Sequence, residues 1–239
     1  MRRKTSNTLR FCCALALAVP ALPVVSGILA IEARAGCGDN ADPGVDWSGC
    51  RKRNLILSGM SLAGARLDDT DLIGSDLRDI DLTKAQMVKT HLSRSNLAGA
   101  NLTGADLSKA EAVRATFAGA ALPGASLSKA EMFRVNFEGA NLAGADLSKG
   151  EFSRGRFVGA DLSGVDLAFA NIARADFTDA KLDGVSMQTA WTYRTDFTGA
   201  DLSGVTGLVQ SQLELACGSA KTVLPDGLAA PAHWPCAKE

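Results

Sequence analysis

Lys, Glu and Arg return together in LSKAEAVR at 107–114, LSKAEMFR at 127–134 and LSKGEFSR at 147–154, each copy twenty residues after the one before. Arg94, Arg114, Arg134, Arg154, Arg174 and Arg194 keep that spacing over a longer stretch, as do Lys89, Lys109, Lys129 and Lys149. A guanidinium is a rigid planar fork of donors suited to carboxylate, phosphate or sulfate, whereas an ammonium is a compact charge on a flexible stem. If the spacing stacks these groups in rows, the chemistry on offer is the binding of an extended anion, in which each weak contact gains from its neighbours. Glu111, Glu131 and Glu151 stand between the two series, two residues after each Lys and three before each Arg. Solubility and local pairing, worth about 0 to 1 kcal/mol per exposed pair, would explain those three copies. Pairing does not explain Arg94, Arg174 and Arg194, where no Glu occupies the matching place.

Catalytic chemistry has less support. His91 and His233 are the two histidines, neither beside a recognisable nucleophile motif, and the chain has no GxGxxG, P-loop or HExxH. Without a nucleophile, a base and an orienting group, the chain reads as non-enzymatic, with no cofactor and no metal. The segment 1–35 explains two of the six cysteines, Cys12 and Cys13, as part of a leader. There Arg2, Arg3, Lys4 and Arg10 precede an apolar run over 11–31, and Ala33-Arg34-Ala35 has the small-x-small form of a signal-peptidase site. Pro20 and Pro23 break a run that is otherwise about long enough to stay in a bilayer as an anchor. The mature chain is therefore expected to be periplasmic or secreted, in a bacterial envelope. Removing 1–35 takes away five basic residues and one acid and leaves a net charge of about −5. Mild acidity and export together argue against nucleic acid as a partner.

Four cysteines remain, Cys37, Cys50, Cys217 and Cys236, an even number suited to an oxidising compartment. They allow three pairings, of which the local one, Cys37 with Cys50 and Cys217 with Cys236, places one loop at each end of the intervening chain. Zinc is the competing use of four cysteines, but spacings of 13 and 19 contain no CxxC step.

What must position the charges is visible in the same stretch. Every fifth residue from 57 to 202 gives thirty positions, of which twenty-eight are Leu, Phe, Met or Ile; only Ala112 and Thr192 depart. Two places earlier stand small residues such as Ala65, Ser75, Ala100, Ala120, Val135 and Ala140. A helix would smear a period of five around its axis, and a plain strand of period two would drift out of step with it. A short extended piece with small and large residues facing inward, followed by a corner, does fit. Segments such as ANLAGANLTGADL, of the form A(N/D)LxG, resemble the pentapeptide repeat family over about two thirds of the chain. That resemblance implies an all-β solenoid, a right-handed quadrilateral β-helix with four pentads per coil and about seven coils, each touching only its neighbours. At the strand spacing of about 4.8 Å the stack would be roughly 35 Å long.

Residues twenty apart then lie above one another. Phe117, Phe137, Phe157, Phe177 and Phe197 are expected to stack inside one face, with Leu62, Leu82 and Leu102 beginning an internal column on another. Glycines such as Gly99, Gly119, Gly124 and Gly144 mark two corners, and the Lys and Arg series mark the other two. Six guanidinium groups about 5 Å apart repel by roughly 0.8 kcal/mol per neighbour in bulk water. The Arg column is thus either a binding face that a partner neutralises or solvated surface left by duplication of a coil. Residues 56–83 hold six acids and two bases, 84–156 six and ten, and 157–205 seven and three, so basicity concentrates in the middle. The best-known members of the family protect DNA gyrase by mimicking DNA with densely acidic faces, which the basic column contradicts. The expected organisation is a leader at 1–35, a cap at 36–55 in which Lys52 falls at an apolar place, the β-helix at 56–205, and a C-terminal cap at 206–239. In that last cap VQSQLELACG is spaced as a short amphipathic helix and Trp234 anchors the tail. Trp191 and Tyr193 point outward beside the end of the Arg column, and packing beneath the C-terminal helix is their expected role. Together with the ten bases they make up the candidate surface, for an unidentified protein or an anionic envelope polymer.

Overall fold

A computed structural model describes residues 36–236, so the leader expected at 1–35 lies outside the described residues. Parallel bridges join each outward residue to the one twenty positions later: Arg66 to Gln86, Asp71 to His91, Asp76 to Asn96 and Asp81 to Asn101 begin four columns that run the length of the repeats. Each pentad is a three-residue extended piece closed by a β-turn. In the pentad around Leu62, the Ala65 N–H donates to the Leu62 carbonyl across the turn at 3.0 Å, while the Leu62 N–H donates to Asp81 O of the next layer at 2.7 Å. The third residue of the turn is left-handed at every corner from 44 to 199, as in a type II turn. Glycine is one solution, at Gly124 with φ +64. The Lys and Arg series are another, with Lys109 and Arg114 at φ 61 and 59. The charged corners are therefore the strained corners, which apolar periodicity alone does not reveal.

The outward residue before each central Leu explains why so many are Asp or Asn. Its side-chain oxygen accepts the backbone N–H two residues on, as from Ser108 to Asp106 at 2.9 Å and Ala143 to Asn141 at 3.0 Å. This satisfies an N–H that the turn leaves over. Hydroxyls at the same turn add to it for some carboxylates. The Ser163 hydroxyl and backbone N–H, and less strongly Lys181, hold Asp161 below the ordinary carboxylate pKa, and the Thr83 hydroxyl and N–H do the same for Asp81.

Inside, the five expected phenylalanines stack. Their successive centroids lie 5.0, 5.2, 4.6 and 5.6 Å apart, offset-stacked spacings that add to burial. Phe152 meets Phe157 edge-on at 6.3 Å. Room for its ring comes from Gly150, where a Cβ would collide with it, while a Cβ at Gly155 would meet the Phe157 ring and the Phe152 carbonyl. Thr192, one of the two departures from the apolar register, is fully buried, and its hydroxyl donates to the Gln212 carbonyl at 2.7 Å. The break in pattern is thus the point where the repeats grip the C-terminal segment.

Both ends are closed by chain outside the repeats. Cys37 bonds to Cys50 and Cys217 to Cys236, each with Cα atoms 5.5 Å apart. Trp47 lies buried within the first layer, where Asp46 bridges to Arg66 and the Trp47 N–H donates to Arg66 O at 2.8 Å, and Lys52 places its Nζ 4.0 Å from that ring, which explains a charge at an apolar place. At the other end only one helical turn forms, α1 (Gln210–Leu213), shorter than the amphipathic spacing over 209–218 suggests. Gln212 fixes it by donating to the Met187 and Ala190 carbonyls at 3.0 and 2.8 Å; the first also accepts the Ala190 N–H across its turn, and the second would otherwise be left unpaired by the last layer. Trp234 covers Gly218 and donates Nε1–H to Ala216 O at 2.9 Å, the anchoring expected of it.

Candidate functional site

The turn geometry fixes where the charges sit. Arg94, Arg114, Arg134, Arg154 and Arg174 line one corner in successive layers and Lys89, Lys109, Lys129 and Lys149 the adjacent one, all exposed. Between the corners runs the bridge column His91, Glu111, Glu131, Glu151, Asn171 and Trp191. Among the described residues none of these nine bases forms an ion pair. The nearby carboxylates turn elsewhere: Glu111 meets His91 Nδ1 at 3.0 Å and Glu151 accepts from Asn171 Nδ2 at 2.8 Å. The local pairing expected from the LSKxExxR spacing does not form. A left-handed corner points its side chain away from the flat face, and the Glu in mid-face lies closer to the layers above and below. Arg194, at the end of the column, is partly buried, and its backbone N–H donates to Leu215 O at 2.6 Å.

Aromatic rings line part of the Arg corner. Arg134 and Arg154 lie 5.2 and 5.8 Å from the Phe133 ring, and Arg174 lies 6.0 Å from Tyr193. Such contacts orient a guanidinium without neutralising it. Further along the same corner, Ile73, Val113 and Phe133 form an apolar wall beside Arg94 and Arg114, in a groove of about 430 Å³. Val113 and Phe133 stand just before Arg114 and Arg134, and Ile73 holds the matching place before Gly74, an alignment that could have been found by the same twenty-residue spacing that reveals the bases.

The aromatic pair departs from expectation. Trp191 and Tyr193 are not packed beneath the C-terminal helix: they remain 52 % and 41 % exposed, with rings stacked at 6.4 Å. One helical turn is too short to cover them, and α1 lies over Thr192 between them. His91 and His233 are far apart in the layers, and His233 Nε2 lies 3.0 Å from Ala216 O in the tail. Among the described residues no cluster of His, Cys, Asp or Glu could hold a metal ion. The four cysteines for which zinc was the competing use are disulfide-bonded.

Stacked pentads with inward Leu and Phe, left-handed corners and bridges at twenty residues define a repeat solenoid that presents side chains on a fixed lattice. The family model for pentapeptide repeats matches 57–86, 75–111, 113–148 and 151–190, more than half of the chain, and the protein belongs to that family. Comparison with individual curated proteins finds no match. Among solved structures, HetL, a pentapeptide repeat protein involved in heterocyst differentiation regulation in the cyanobacterium Nostoc, is 23 % identical, with 77 % of this chain and 86 % of that chain covered and a TM-score of 0.45. The plasmid-mediated fluoroquinolone resistance protein QnrB1 is 18 % identical over 72 % of this chain and 86 % of its own, with a TM-score of 0.37. A pentapeptide repeat protein of the Arabidopsis thaliana thylakoid lumen is 28 % identical over 51 % and 79 %, with a TM-score of 0.33.

Proposed function

We propose that this protein is a non-enzymatic, exported binding module, a right-handed quadrilateral β-helix of about seven coils whose basic corners hold an extended anionic partner of the bacterial envelope, polymer or acidic protein. The observation that carries the reading is the unpaired ladder: five exposed Arg and four exposed Lys stand in register without an ion pair among the described residues. Held at positive φ, each also carries a backbone cost of order 1 kcal/mol relative to glycine. Glycine fills the same turn position in most layers of the other two corners, with Asp79, Asp179 and Lys84 as exceptions, so the bases are retained at some cost in stability. The disulfides at both ends suit an oxidising compartment, which favours the periplasmic or secreted location. The other role known in the family, an acidic DNA mimic that inhibits or protects a topoisomerase, needs carboxylates where this chain has bases.

The test replaces Arg114, Arg134 and Arg154 by Gln. The fold should be kept, since those side chains are exposed. Retention on an anionic matrix and cross-linking to a partner in the envelope should both fall, and the matching triple change at Lys109, Lys129 and Lys149 should do less, because an ammonium lacks the directional fork. Full retention and unaltered cross-linking in the Arg variant would show the column to be solvated surface.

A further inference from the structure

Beyond the last free base of the ladder the surface changes character. A cleft of about 660 Å³ opens between the final layer of the solenoid and α1, with Trp191, Val209 and Leu215 on its apolar side and Gln188, Thr189 and Ser211 on its polar side. That volume lies within the range of about 300–1,000 Å³ typical of small-ligand sites. No charged residue lines it. Gln188, Thr189 and Ser211 are exposed, and among the described residues their side chains make no hydrogen bond, so their hydroxyl and amide groups are available. Gln212, by contrast, spends its amide on the Met187 and Ala190 carbonyls and serves as a fixed wall. Trp191 is half exposed and backed by Tyr193, whose ring lies 22° from parallel to it. The indole is therefore supported as a platform without being covered.

An indole platform facing uncharged hydroxyl and amide groups matches one ligand chemistry better than others. A pyranose ring has an apolar face of C–H groups that lies flat on an aromatic ring, and a rim of hydroxyls that donate to and accept from Ser, Thr and Gln. An acyl chain would use the apolar wall but leave the polar rim unpaired, and a bare inorganic polyanion would find no cation in the cleft. The cleft is also joined to the ladder: Arg174 sits 6.0 Å from the Tyr193 ring, which stacks on Trp191. We infer that this cleft seats a sugar ring, and, resting on the ladder reading above, that the extended anion is an acidic polysaccharide running from the Arg corner onto Trp191.

Two soluble polymers separate the claims: polygalacturonate, whose repeating unit is a carboxylated pyranose, and linear polyphosphate, which carries charge without sugar. Dissociation constants are measured for the wild type, Trp191→Ala, Trp191→Phe and the triple Arg variant. Trp191 is exposed, so its replacement should leave the thermal transition in place. Trp191→Ala should weaken polygalacturonate by about tenfold, a single stacked ring's worth of binding, while polyphosphate stays within about twofold, and Trp191→Phe should recover most of the loss. Equal losses for both polymers, no loss for either, or failure of wild type to bind polygalacturonate would overturn the sugar cleft. The triple Arg variant should weaken both polymers. If it weakens neither while Trp191→Ala still acts on polygalacturonate alone, the ladder reading fails and the sugar cleft stands.

Discussion

Phe157 lies at the centre of the internal stack, fully buried between Phe137 at 5.2 Å and Phe177 at 4.6 Å, with Phe152 meeting it edge-on. Truncation to Ala removes a ring from a core that cannot close around the gap, because the layers above and below are held at fixed spacing by the bridge columns. Phe→Ala in such a site costs about 3–5 kcal/mol. For a chain of this size about 1 kcal/mol corresponds to 2–4 °C, so the melting temperature should fall by roughly 6–20 °C. Because each layer of a solenoid touches only its neighbours, the loss should also broaden the transition and expose the middle layers first to hydrogen exchange. The control is Phe169→Ala, at a corner with the ring 55 % exposed, where the cost should be below about 0.5 kcal/mol. Urea titrations followed by circular dichroism would measure both. Similar midpoints for the two variants would refute the assignment of which residues hold the solenoid together.

Gly150→Ala should cost more than Gly124→Ala, since a Cβ at 150 collides with the Phe152 ring, whereas at 124 it meets open space and only the φ of +64 opposes it; the second cost is about 1 kcal/mol, and parallel denaturant titrations would rank the two. Thr192→Val removes the shorter of two hydrogen bonds to the buried Gln212 carbonyl, leaving the Leu215 N–H at 3.2 Å, at about 1 kcal/mol, and should loosen the C-terminal segment first, as seen by faster exchange of the Cys217 and Val223 amides that pair with the last layer. Asp81 and Asp161 have carboxyls held below their usual pKa by turn hydroxyls and amides. Their stabilisation is present above the unfolded carboxylate value near 3.9 and is lost as pH falls through the lower folded value. Asp161→Asn, which keeps the acceptor but not the charge, should flatten that acid limb in melting curves taken across pH.

Most of the fold is legible in the sequence because inward residues have no freedom: thirty unbroken pentads leave only one phase in which Leu57 and Leu202 both face the core. The charge columns follow from the same arithmetic. Their pairing does not, since whether Lys129, Glu131 and Arg134 meet depends on the left-handed corners, and a residue's φ leaves no apolar mark. Two departures carried more information than the consensus around them. Lys52 signals the Trp47 ring of the first layer and Thr192 signals the grip on Gln212, and each reads as noise until its partner is in place. Gly150 and Gly155 are similar, the first small for the Phe152 ring and the second for the Phe157 ring, and neither for a turn. The exposed Trp191 platform was obscured for the opposite reason, because a helix of ordinary length over 209–218 would have covered it and only one turn forms.

The claim that the Arg corner binds anions as a ladder is tested most directly by the salt dependence of polyphosphate binding. Each guanidinium that contacts the polymer releases roughly one condensed counterion, so the slope of log affinity against log salt counts contacts. For the wild type the slope should be steep, and for the variant with Gln at 114, 134 and 154 it should be shallower by about three, with the fold unchanged by circular dichroism. The same slope in both proteins would mean that these side chains do not touch the polymer, and would contradict the account.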